Sequence, residues 1–430
     1  MKALAYMIIM LALGSVGGLF FGSFWSIFVY YNFTVIRPQY LWQYALPPGI
    51  EWSFYAAIAP IGYALLGLGE TGRPGRTWGT THLTLAAFWL WSTISMLNAR
   101  IPAIAYEWYM VNLKIYLMYF VASVLVADLR DVKRMYLMTA ASIGYIGYEM
   151  NFEYFINGIM KVRIRGFAEY DNNGAGLILA MGIPLCWFAW EGLRSHWRWL
   201  FAALVPVLLH AVLMSFSRGA MLSLVIVTPL IVLRSRYRIA TLTGVALFAF
   251  FGLPFFAGKE IQERFLSIEK SDADVSAQSR LGTWRAAYLM ACDYPIFGIG
   301  VRNSPQFVGA YGHNLTSQTI HSQYLQLAAD TGFVGLGLYI AFLASTVWAA
   351  VRARQYAAQL VPDVSDPTMA WAKGVEGSLV VFAVGAVFLS LETLELTYIV
   401  ALIGARMACL TKAAAEGLIP GDGNLHNLPE

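Results

Sequence analysis

Long apolar runs separated by short polar connections fill almost the whole chain. A helix needs roughly 20 mostly apolar residues to cross a bilayer. Runs of that kind lie near 4–36, 51–69, 80–97, 108–127, 135–156, 174–192, 197–216, 219–233, 238–257, 332–351, 375–391 and 395–410. The pattern predicts an all-α polytopic membrane protein with about 12 transmembrane helices, the first run crossing once or twice. Lys2 and the apolar stretch behind it lack a convincing small-residue cleavage site, so they read as a retained span rather than a signal peptide. A single long polar excursion interrupts the series. The chain therefore divides into an N-terminal bundle (1–257), a large loop with amphipathic helices (258–331), C-terminal helices (332–412) and a tail (413–430) expected to be disordered.

Composition agrees: 58% of the 430 residues are hydrophobic and 13% charged, against about a quarter charged in soluble domains. Aromatics at 15% suit belts at the lipid headgroups. The net charge of +4 matters less than where the cations lie. Arg73 and Arg76, then Arg130, Lys133 and Arg134, then Arg194 and Arg198, then Arg234, Arg236 and Arg238, and last Arg352 and Arg354 occupy alternate connections. Short positive loops stay in the cytoplasm, so 37–50, 98–107, 157–173, 215–219 and 258–331 are expected on the outer face. The cations are scattered between spans rather than gathered on a polar domain, which argues against nucleic acid as a partner. Cys186, Cys292 and Cys409 are far apart and suggest neither a disulfide framework nor zinc.

The cations that defy this bias fall on one face: Lys161, Arg163 and Arg165 in one outer loop, Arg218 in a Ser-Phe-Ser-Arg-Gly turn, and Arg280 and Arg285 in the large loop. A guanidinium is always charged and its planar fork of donors matches phosphate, so such a set implies an anionic partner such as a lipid phosphate or diphosphate. Arg218 sits at the hydrocarbon boundary, where an ionisable residue marks function by default; the competing reading is an arginine that snorkels to anchor a helix end. Arg165 precedes Asp171-Asn172-Asn173, where Asn172 or Asn173 is expected to cap the next helix, and a helix N-terminus favours an anion. His321 opens an amphipathic helix with Ile320, Tyr324, Leu327 and Ala328 on one stripe, and a neutral imidazole is the usual proton acceptor near pH 7. His313, in a Gly- and Asn-rich stretch, competes for that role. His82 and His210 lie inside spans and read as core histidines, and Glu392 and Glu395 as a solvated face at the last outer turn. Lacking HExxH, CxxC pairs, a P-loop or an Asp-rich diphosphate motif, the chain implies no metal, no other cofactor and no ATP.

Three blocks carry a resemblance: Arg165-Gly166 with Asp171-Asn172-Asn173; Ser217-Arg218-Gly219-Ala220; and Arg280 and Trp284 with Pro295-Ile296-Phe297-Gly298-Ile299-Gly300 and His321-Ser322-Gln323-Tyr324-Leu325 ahead of Gly332 and Gly335. In order and spacing the chain resembles the O-antigen ligase and Wzy polymerase superfamily of bacterial envelope glycosyltransferases. Tyr30 to Trp42 and Trp89 to Lys114 resemble its exosortase-associated O-glycosylation ligase branch. The departures are Ser322, where the family usually has Asn, and a missing Pro before Asn173.

The resemblance implies a metal-independent transferase of the inner membrane. It would move a glycan from a polyprenyl (undecaprenyl) diphosphate carrier to a glycan, lipid or protein hydroxyl on the periplasmic face. His321 would be the general base, and Arg165, Arg218 and Arg280 would bind the diphosphate, with His313, Arg285 and Asn173 as further candidates. A flippase and a chain-length regulator are the implied partners beside the bilayer. A Wzy-type polymerase and a protein O-oligosaccharyltransferase share these motifs. A polyprenyl-glycan flippase is the non-enzyme alternative, but transporters carry inverted repeats and midplane charges, and here the polar residues mass on one face.

Overall fold

A computed structural model of the chain describes residues 2–67, 78–252, 275–312, 318–360 and 367–418. Among them every regular element is helical, with no strand beyond an isolated bridge between Phe167 and Tyr170. The run 4–36 folds as a hairpin of α1 (Lys2–Ser15) and α3 (Phe24–Ile36), joined through the short α2 (Gly17–Phe21). A Cβ on Gly14 would stand 3.1 Å from that of Val29, and Tyr6 donates to Asn32 Oδ1 at 3.2 Å. There follow α4 (Pro38–Leu41), α5 (Trp52–Leu65), α6 (Thr80–Leu97), α7 (Pro102–Leu125), α8 (Leu129–Asn157) and α9 (Lys161–Arg165). Next come α10 (Asn172–Gly192), α11 (Arg198–Met214), α12 (Arg218–Arg234) and α13 (Arg238–Leu247). The large-loop region contributes α14 (Val275–Asp293) and α15 (Ser304–Tyr311), and the chain continues with α16 (Gln323–Leu360), α17 (Pro367–Gly385) and α18 (Glu395–Ala415). Residues 419–430, most of the tail expected to be disordered, lie outside the described residues.

Among the described residues, four helices are by themselves long and apolar enough to span a membrane: α7, α10, α16 and α18. Other apolar runs form helices that are shorter, such as α5 with 14 residues and α11 and α12 with 17, or more charged, such as α8, which carries Asp131, Lys133, Arg134, Glu149 and Glu153. Others are less apolar, such as α6, whose 18 residues include four Thr, two Ser and His82. Phe20, Leu65 and Ile239 stand 77%, 82% and 83% exposed, an outer surface suited to lipid rather than water. Inside, small residues let helices approach closely. A Cβ on Gly144 of α8 would meet Leu204 of α11 at 2.4 Å, and one on Gly385 would meet Leu177 of α10 at 2.3 Å.

Polar contacts join several of the inter-helix connections. At one end Arg37 bridges Glu169 and Glu395 at 3.1 and 3.4 Å, Asn172 donates to Ser215 O at 2.8 Å, and the Arg100 and Ile101 amides donate to Ile299 O and Asn303 Oδ1 at 2.9 and 2.6 Å. Connections expected on the outer face are thereby tied into one surface. At the other end Arg234 and Arg354 both pair with Glu376, at 2.9 and 3.1 Å.

The chain's main irregularity lies within α16, where Gly332 (φ 73°) breaks the helix into a short arm and a long span. A break frees carbonyls that lipid cannot satisfy. Here Ile299 N donates to Ala329 O (3.0 Å), Gly300 N and Ser95 Oγ to Asp330 O (2.9 and 2.8 Å), and Trp91 Nε1 to Thr331 O (2.9 Å). Phe333 N returns to Pro295 O at 2.8 Å. The Pro295–Gly300 turn is therefore a clamp on the break, and Gly332 is required twice over, by its φ and because a Cβ would stand 2.1 Å from Ile296 O. Gly332→Ala is expected to destabilise the protein by about 1–3 kcal/mol, lowering the thermal midpoint of detergent-purified protein. An unchanged midpoint would contradict the clamp.

Candidate functional site

The short arm of α16 starts at the outer-loop end, and His321 stands just before it. Its backbone is left-handed (φ 53°), a conformation that costs a non-glycine residue and persists only where surroundings impose it. The α14 helix imposes it: Thr283 Oγ1 donates to Ile320 O at 3.1 Å and Trp284 Nε1 to His321 O at 3.3 Å. Ile320, Leu327 and Ala328 are buried, but so are Ser322, Gln323 and Gln326, and the helix starts only at Gln323. The arm is thus enclosed by protein rather than carrying the single apolar stripe expected of Ile320, Tyr324, Leu327 and Ala328. Ser322 occupies the position just outside the helix, its hydroxyl facing Leu325 N at 3.5 Å, and a serine is well suited there. Gln323 is locked to the turn after α17, its amide donating to Ala386 O at 2.8 Å and its side chain accepting from Leu391 N at 2.5 Å.

Two helix N-termini meet beside this arm. Asp171, not Asn172 or Asn173, caps α10, accepting from Gly174 N at 2.8 Å. Asn173 instead donates to the free oxygen of that carboxylate at 2.9 Å, and Asn172 reaches the turn before α12. Ser217 caps α12 through Ala220 N at 3.3 Å and leaves Arg218 in its first turn. The close fit needs Gly176, where a Cβ would lie 2.5 Å from Ser215 Oγ. Such termini favour anions. Phe388 completes the connection, lying 3.5 Å from where a Gly219 Cβ would stand and with its ring 6.2 Å from that of Trp284.

Burial and the Arg280 guanidinium hold the His321 imidazole below its ordinary pKa, and the Asp171 carboxylate opposes them. The ring is thus neutral at pH 7, with a cation and an anion both near enough to act on it. His321, Arg280, Asp171 and, through it, Asn173 form one group, and the α12 start that carries Arg218 approaches Phe388 through Gly219. Arg165 is exposed at the end of α9, next to Gly166, whose backbone presses on Tyr170 and Asp171. Its neighbour Arg163 lies over the Phe216 ring at 4.1 Å, fastening α9 to the 215–217 turn. Arg285 is exposed on the flank of α14, off the face that carries Thr283 and Trp284 to His321. His313 lies outside the described residues. His82 and His210 are buried, His82 accepting from Gly79 N at 3.2 Å and His210 bonded to Asn151.

Glu392 and Glu395 correct the expectation of a solvated face. Glu395 binds Arg37, and Glu392 is 1% exposed, accepting from Asn112 at 2.7 Å. Burial, with Asp330 nearby, raises the Glu392 carboxyl to about 7 against the opposing pull of Arg302 and Asn112. With its amide oxygen turned to Arg302, Gln326 accepts from Nε and Nη1 at 3.3 and 2.8 Å and donates to Ser390 Oγ at 2.6 Å. Arg302 also stacks over Trp108 at 4.4 Å. This polar network shares the 386–394 turn with the His321 group. An ionisable residue ending an apolar run was the signal for it.

The family comparison falls on these residues. Residues 207–340 match the O-antigen ligase family model, Wzy_C. The match covers less than half of the chain and marks that segment as similar to the O-antigen ligase family. The matched O-antigen ligase segment contains Arg218, Arg280 and His321, whereas Arg165, Asp171 and Glu392 lie outside it. No curated protein matches the chain.

The electrostatics predict opposite shifts in two variants. Arg280→Gln removes a cation that lowers the His321 pKa, so the pH at which the ring half-reacts with diethylpyrocarbonate should rise. Asp171→Asn keeps a capping residue but removes the opposing anion, so that pH should fall. Peptide-resolved mass spectrometry reads both, and shifts in the same direction would refute the arrangement.

Proposed function

We propose that this protein transfers a glycan from a polyprenyl diphosphate carrier to an acceptor hydroxyl at the outer-loop end of the bundle, on the periplasmic face of the bacterial inner membrane. The observation that carries the reading is the approach of Arg280 and Asp171 to a half-buried His321 beside two helix N-termini. His321, neutral at pH 7, accepts the proton of the acceptor hydroxyl as its oxygen attacks the anomeric carbon. The sugar–phosphate bond breaks and negative charge grows on the leaving diphosphate. Arg218 and Arg280, with Arg165 at the rim, bind that group, and cations already in place stabilise the developing charge without reorganising. Direct displacement inverts the anomeric centre, and no step in this scheme calls for a metal or nucleotide. Ligase, polymerase and protein O-glycosylation differ only in the acceptor.

The test is in-vitro transfer from a polyprenyl diphosphate glycan to candidate acceptors. His321→Ala should slow product formation by about 10²–10⁴-fold, the contribution of a positioned base, while donor binding persists. A variant matching an active wild type would move the base elsewhere, and translocation of intact donor without transfer would favour the flippase reading.

A further inference from the structure

At the opposite end from His321 a groove of about 670 Å³ opens between α1, α3, α8 and α11, with the last turn of α10 and the first of α17 at its mouth. Along α8 it runs from Lys133 to Tyr145, about 18 Å at 1.5 Å per residue. Its chemistry is graded. Lys133, Arg134 and Arg194 stand at the mouth, no carboxylate is among the lining residues, and Leu137, Met138 and Ala141 follow along the wall. Arg134 lies 5.3 Å over the Trp25 ring and 3.3 Å from Asp131, which holds it at the rim.

Trp371 adds a second and independent sign. It lines the groove and is 3% exposed, yet its indole N–H finds no acceptor among the described residues. That nitrogen lies 3.0 Å from where a Gly192 Cβ would stand, and Gly192 itself lines the groove mouth. A buried donor without a partner costs free energy that a bound oxygen would recover. Basic pockets between helices at the positive side of a membrane protein suit anionic lipid headgroups.

We propose that this groove binds one anionic phospholipid, its phosphate held by Lys133, Arg134, Arg194 and the Trp371 N–H and its acyl chains lying along α8. The occupant is a bilayer lipid rather than the glycan carrier, whose diphosphate belongs with Arg218 and Arg280 at the far end. The site would make the fold responsive to the anionic lipid of the leaflet on the cation-rich side. Only the exclusion of the glycan carrier rests on the transferase reading; the readout, lipid retention and not product, is independent of it.

Native mass spectrometry of the full chain, released from nanodiscs of equal phosphatidylglycerol and phosphatidylcholine, tests it. Wild type should retain phosphatidylglycerol in preference. Lys133→Gln with Arg194→Gln should weaken that retention by about thirtyfold, taking the typical worth of two surface cations facing anionic lipid. Trp371→Phe, which keeps the packing and removes only the N–H, should weaken it less than the double substitution and lower phosphatidylcholine retention as well, since both lipids carry the phosphate. Equal retention of the two lipids by wild type would overturn the proposal, and that arm needs no variant to fold. Displacement of phosphatidylglycerol by a polyprenyl diphosphate would overturn it as well, making the groove a carrier site.

Discussion

The break in α16 at Gly332 is the constraint on which the rest depends. A membrane tolerates non-helical backbone only where protein satisfies the freed polar groups. The carbonyls of Ala329, Asp330 and Thr331 are each taken, by Ile299, by Gly300 with Ser95, and by Trp91. The Pro295–Gly300 turn therefore exists to hold a helix that stops and restarts. Stopping there turns the first residues of α16 into a short arm, and the arm sets His321 against α14 and the capped start of α10.

Charge is arranged around that arm at two depths. Near the surface, Arg280 and Asp171 act on His321 in opposite directions, and Arg218 occupies a first turn whose amides already favour an anion. Deeper, Glu392, Arg302, Asp330, Asn112 and Gln326 form a network whose members are individually costly to bury and stable only together. Both layers meet at the 386–394 turn, through Phe388 in one case and through Ser390 and Glu392 in the other.

Much of this was legible in the residues, and the gaps have physical causes. Apolar runs gave the helices because lipid and core demand the same period-free hydrophobicity. Periodicity predicted an apolar stripe through Ile320, Tyr324, Leu327 and Ala328. It could not show that Ser322, Gln323 and Gln326 are buried beside it or that His321 takes a left-handed turn, since those depend on the turn after α17 and on Thr283 and Trp284. Capping went to Asp171 rather than Asn172, as both are good caps and the choice follows from Asn172 being drawn to Ser215. Glu392 was misread as solvated because its partners Asn112 and Arg302 lie far away in sequence.

The central claim is that Arg218, Arg280 and His321 surround one diphosphate at one end of the bundle. A cryo-electron microscopy map of the protein with a non-hydrolysable polyprenyl diphosphate glycan analogue tests it most directly. The account predicts diphosphate density contacted by Arg218 and Arg280, with the sugar between it and the His321 ring. Density for the diphosphate at the Arg134 end, or at a site without either arginine, would contradict it.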